Sequence, residues 1–87
     1  MKMEVKLEVP KYDVSNGIRY NWQKGFKIDV KSENGAIILS ANKEGLISLA
    51  NHLLNLAQEE VPSGCHLHFD ENNSLEEDST ELIIQKK

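Results

Sequence analysis

The sequence predicts an α+β fold: a mostly antiparallel sheet of about six strands in the order β-β-β-β-α-β-β, with one helix packed on one face. Three observations carry that prediction. Apolar and polar residues alternate, with the period of a half-buried strand, through much of residues 3–41 and again through 65–85. Between those stretches the apolar period changes to three and four residues, as on one side of a helix. Asn34-Gly35 stands between two alternating runs, and this pair favours a type I′ hairpin because both residues tolerate positive φ.

Taken in order, Met3, Val5, Leu7 and Val9 alternate with Glu4, Lys6 and Glu8 and predict a first strand that stops at Pro10. Turn formers fill residues 11–17, after which Ile18, Tyr20 and Trp22 predict a second strand. Phe26, Ile28 and Val30 mark a third, and residues 36–41 a fourth across the Asn34-Gly35 turn. Leu46, Leu49, Ala50, Leu53, Leu56 and Ala57 then form the stripe of a helix over about 42–59, widened by Ile47 and Leu54. Asn42 is its N-cap, Glu44 complements the positive end of its dipole, and Pro62 with Gly64 closes the run. His52 lies beside this stripe rather than in it, and is expected to face solvent or the helix edge. Cys65, Leu67 and Phe69 alternate with His66, His68 and Asp70 as a fifth strand, residues 71–79 form a polar loop, and Thr80–Gln85 is a sixth strand.

A chain of 87 residues leaves room for one domain, residues 1–87, and one modest core. Its 39% hydrophobic and 28% charged residues are those of a folding globular chain, so the lone Cys65 is read as a small buried hydrophobe and no internal disulfide is available. No apolar run approaches the roughly 20 residues that span a bilayer, and the alternating N-terminus lacks the apolar core of a secretory signal. A cytoplasmic protein without a membrane partner is expected.

Charge is distributed unevenly. Residues 1–43 carry eight basic and five acidic side chains, whereas from Glu44 to Gln85 there are nine carboxylates and no lysine or arginine. Such an acidic half repels nucleic-acid phosphates and steers a basic partner into encounter. Solubility alone is the simpler reading of an acidic run. Yet Asp70, Glu71, Glu76, Glu77 and Asp78 crowd one predicted loop, and their repulsion calls for a cation or a basic partner.

Catalytic constellations are lacking. Cys65 and His66 are neighbours on a strand and point to opposite faces, and the clustered carboxylates have no apolar wall to raise a pKa for general-acid work. The five glycines are scattered singly, with no phosphate-cradling pattern. No enzyme activity and no cofactor are expected. His66, His68 and Asp70 share one face of the fifth strand at spacing two, which leaves a metal- or small-ligand-binding module open as an alternative. Tyr20 and Trp22, on one face with Ile18, are read either as core under the helix or as aromatic anchors for a partner.

Four segments, in their order, carry a family resemblance: NKEGLISLANHLLNLAQE (42–59), VPSG (61–64), HLHFD (66–70) and SLEEDSTELII (74–84). Together they resemble the bacterial polymorphic-toxin immunity protein 32 family, over roughly Ala36 to Ile84. Asp78 departs from the pattern, in which a glycine precedes the serine at position 79. The resemblance implies a cytoplasmic antidote that binds a cognate toxin domain and blocks it. It implies a role and no contact residues. Those come from the charge pattern: His66, His68, Asp70, Glu71, Glu76, Glu77 and Asp78 are the expected partner-binding residues, offering acceptors to the lysines and arginines of a basic toxin. The sequence leaves the oligomeric state open.

Overall fold

The computed structural model describes residues 2–87. It is an α+β fold with one helix and two small antiparallel sheets: β1 (Ile28–Glu33) and β2 (Ala36–Ala41), then α1 (Lys43–Leu56), then β3 (His66–Phe69) and β4 (Leu82–Gln85). The β1–β2 hairpin pairs Ile28 with Ala41 and Glu33 with Ala36 across the turn, where Asn34 (φ 49°) and Gly35 (φ 81°) take the left-handed conformations that a type I′ turn requires. β3 and β4 pair from His66–Gln85 to Phe69–Leu82. Their ladder is prolonged by hydrogen bonds from the Lys86 amide to the Cys65 carbonyl and from the Gly64 amide to the Lys86 carbonyl.

The hairpin, the helix and the last two predicted strands therefore form, while the first two do not. Residues 3–9 and 18–22 run without a ladder, so the observed strands number four rather than six. The reason lies in their backbone partners. Asn51 Nδ2 donates to the Glu8 carbonyl and Gln58 Nε2 to the Pro10 carbonyl, while the amides of Tyr12, Asn21 and Gln23 donate to Gln58, His52 and Ser48. Side chains of the helix and of the turn after it satisfy main-chain groups that a neighbouring strand would otherwise have satisfied.

That arrangement turns the helix over. Its buried side carries Gly45, Ser48, Leu49, Asn51, His52, Asn55 and Leu56, so four polar side chains face inward. Of the expected apolar stripe only Leu49 and Leu56 join the core; Leu46, Leu53 and Leu54 are exposed. His52, expected near solvent, is fully buried. Helix α1 also stops earlier than its sequence pattern, with Ala57 as C-cap. Beyond it Gln58 folds back to hold Tyr12 and Pro10, and Val61 enters the core.

Asn42 fastens the helix to the hairpin. Its Oδ1 accepts from the Gly45 and Lys27 amides, and its Nδ2 donates to the Gly25 carbonyl. The core itself consists of Ile28, Val30, Leu49, Leu56, Val61, Leu67, Phe69 and Leu75, with Trp22 and Phe26 packed against it. Each such side chain removed from water contributes about 1.5–3 kcal/mol. Trp22 stacks on Phe26 at 4.3 Å between ring centroids and meets His52 edge-on, also at 4.3 Å. The core reading of Trp22 holds, whereas Tyr20 is 44% exposed.

Candidate functional site

The expected partner-binding residues occupy the outward side of β3 and the connection from β3 to β4. On β3, Leu67 and Phe69 are buried while His66 and His68 are exposed, as the alternation requires. Cross-strand pairing sets His66 against Gln85 and His68 against Ile83 on that outward face.

Residues 70–81 are shaped by their own hydrogen bonds. Asp70 Oδ1 accepts from the amides of Asn72 and Asn73, and its carbonyl accepts from Asn73, Ser74 and Leu75. This turn buries Leu75 and leaves Glu71, Glu76, Glu77 and Asp78 exposed around it. Glu71 is tied to the far end of the loop, where its Oε2 accepts from the Asp78 amide at 2.9 Å. Asp78, where the resemblance led to an expected glycine, takes φ 67°, the left-handed region in which glycine carries no penalty and aspartate a tolerable one. The loop is held along β1: the Glu76 amide donates to the Ile28 carbonyl, the Thr80 amide to the Val30 carbonyl, and Ser79 Oγ accepts from the Val30 amide. Lys31 reaches across to the Asp78 carbonyl, so the basic first half braces the acidic second.

Two expected residues meet in a cluster. His68 Nε2 lies 3.2 Å from Glu81 Oε2 and 3.6 Å from Asp70 Oδ2. His66 is not part of it, since it sits one outward position further along β3. Glu81 was missing from the expected set. It could have been found from the hairpin register, because Glu81, Ile83 and Gln85 share the face that His68 and His66 share across the ladder. His68, Asp70 and Glu81 offer one nitrogen and two oxygens within 4.8 Å of one another, a donor set suited to a divalent transition metal.

Beside His68 a cleft of about 170 Å³ is walled by Tyr20, Trp22 and Phe69 and closed by Asn73. Typical small-molecule sites occupy about 300–1,000 Å³, so this cleft is sized for a single side chain rather than a metabolite. Its inner wall belongs to the core, because buried Phe69 stacks on the buried His52 ring at 6.1 Å between centroids. Burial pushes His52 down to about 4, which keeps the imidazole neutral. Burial likewise raises the Tyr20 phenol.

No helix among the described residues is long and apolar enough to cross a membrane. No curated protein and no solved structure matches the chain. Residues 36–87 match the family model for immunity protein 32.

Proposed function

The chain belongs to the immunity protein 32 family, and from that premise we propose that it neutralises a cognate bacterial toxin by stoichiometric occlusion. The single observation that supports this reading is the concentration of Asp70, Glu71, Glu76, Glu77, Asp78 and Glu81 in the segment 70–81, all but Asp70 exposed, with no lysine or arginine between Glu44 and Gln85. A surface with an excess of one sign attracts the opposite sign, so the toxin domain it meets is basic, and nucleic acid is repelled. His66 and His68 border the carboxylates, and the aromatic cleft beside His68 receives one projecting side chain at the centre of the contact. In this reading residues 1–87 act as one cytoplasmic unit, without catalysis and without a cofactor.

Co-expression with a candidate cognate toxin tests the proposal. Expected is a stoichiometric complex that survives purification and restores growth; failure to restore growth against a verified toxin overturns the reading.

One observation favours a second reading, in which the domain binds a metal or small ligand. The donor geometry of His68, Asp70 and Glu81 moves that site from the His66-His68-Asp70 strand to a cross-hairpin cluster. Zinc titration by calorimetry separates the two: one-to-one uptake abolished by His68→Ala and Glu81→Gln supports the metal module, and heat at the dilution baseline removes it.

A further inference from the structure

The aromatic cleft beside His68 joins an apolar wall to an acidic rim. Tyr20, Trp22 and Phe69 form the wall, and His68 and Asn73 complete the lining, with no lysine or arginine among them. The Tyr20 and Trp22 rings lie within 8° of parallel, and both stand nearly perpendicular to Phe69. At the rim, His68 Nε2 meets Glu81 Oε2 at 3.2 Å and Asp70 Oδ2 at 3.6 Å. One ring nitrogen donates at most one N–H, so it cannot satisfy both carboxylates. Asp70 Oδ1 already accepts from the Asn72 and Asn73 amides, which leaves Oδ2 as its open oxygen. Glu81 is exposed, and its carboxylate has only His68 beside it among the described residues. The two rim oxygens lie within 4.8 Å of each other.

We propose that this cleft receives one arginine side chain of the toxin, its guanidinium against the aromatic wall and its outward N–H groups turned toward Asp70 Oδ2 and Glu81. The proposal rests on the toxin-binding reading and names the group that reading leaves open. A guanidinium is flat, permanently charged and forked, so one face rests on an aromatic ring while its edge donates to two acceptors at once. Arginine is also over-represented among the few residues that dominate protein interfaces.

Other occupants fit less well. An acidic side chain or a phosphate finds no cation in the lining and two carboxylates at the rim. A purely apolar side chain covers the rings but strips water from Asp70 and Glu81 without replacing its hydrogen bonds. Lysine carries the right charge on a compact, strongly hydrated ammonium that has no flat face to lay on Tyr20 or Trp22.

Trp22 is the single tryptophan of the chain, so its emission reports on the cleft. The full chain is titrated, at constant ionic strength and with a chelator present, with N-acetyl-arginine methylamide and with its lysine and citrulline counterparts. Citrulline keeps the length of arginine and lacks its charge. Expected is a saturable change for the arginine probe, half-complete at about 1–10 mM, and binding weaker by about threefold or more for lysine and about tenfold for citrulline. Tyr20→Leu, which keeps apolar bulk and removes the ring, weakens arginine binding about two- to fivefold. Asp70→Asn combined with Glu81→Gln weakens it about fivefold, with circular dichroism unchanged in both variants. No saturable response to arginine overturns the proposal, as do equal responses to arginine and either counterpart, or folded variants that bind like the wild type. The titration contains no toxin, so its failure removes the arginine cleft and leaves the growth-rescue test of toxin neutralisation standing. Failed rescue with arginine binding intact removes the toxin reading instead.

Discussion

His52 accepts a hydrogen bond at Nε2 from the amide of Asn21, 3.2 Å away and 31 residues earlier in the chain. The imidazole therefore carries its proton at Nδ1, which is buried and has no hydrogen-bond partner. Protonating Nε2 would break the bond to Asn21 and charge a ring enclosed by Trp22, Tyr20 and Phe69.

A pH dependence of stability follows. The folded value of His52 is about 4, below its ordinary 6.5, so folding favours the neutral ring. The associated stability is complete above pH 6.5 and is lost as pH falls toward 4, at up to about 1.4 kcal/mol per pH unit. Urea denaturation at pH 7, 6 and 5 is expected to show this slope in the wild type. His52→Leu is expected to lose it, at a cost of about 1–3 kcal/mol at pH 7 for stranding the Asn21 amide. Parallel curves for the two proteins would count against a neutral buried His52.

Asp78 sets a second expectation. At φ 67° an L residue bears strain that glycine does not. Asp78→Gly is expected to raise stability by up to about 1 kcal/mol, and Asp78→Val to lower it by about 1–2 kcal/mol. Thermal unfolding of the two variants measures both. A destabilised Asp78→Gly would mean that the carboxylate contributes more than the backbone strain costs.

Gly45 sits inside a helix, where alanine is normally preferred by about 1 kcal/mol. Here an added Cβ would lie 2.7 Å from the Lys27 carbonyl oxygen and 2.8 Å from Ile28 Cγ1. Main-chain oxygen cannot swing aside as a flexible side chain can, and overpacking costs about 1–3 kcal/mol. Gly45→Ala is therefore expected to destabilise the fold by about 1–2 kcal/mol despite its better helix propensity, and chemical denaturation gives the sign directly.

For the acidic surface, replacing Glu76, Glu77 and Asp78 together by lysine is expected to slow association with the toxin about tenfold or more and to weaken its salt dependence. The exchange leaves the main-chain bonds from Glu76 to Ile28 and from Asp78 to Glu71 available. Rapid-mixing kinetics at two ionic strengths report both effects. Unchanged rates at low salt would move the toxin contact elsewhere on the molecule.

Much of the second half of the fold was legible because its signals are local. Asn34-Gly35 announces its turn, Asn42 its cap, and the Cys65–Phe69 alternation its strand, each within a few residues. The orientation of the helix was not legible. His52 reads as facing solvent or the helix edge because it lies beside the apolar stripe, yet it turns inward with Ser48, Asn51 and Asn55, and three of the four bond main-chain groups of residues 8–23. That information resides in contacts tens of residues apart, which no periodicity contains. The candidate site was half legible for the same reason: His68 and Asp70 are near in sequence, whereas Glu81 joins them only once the β3–β4 register is known.

The dependence of the N-terminal segment on the helix has a consequence for synthesis on the ribosome. Tyr12 waits for Gln58, 46 residues later, and Gln23 for Ser48. At about 5–20 residues per second, Gln58 is added roughly 2–9 seconds after Tyr12. The segment around Tyr12 is thus made before the side chains that hold it, and it spends those seconds undocked.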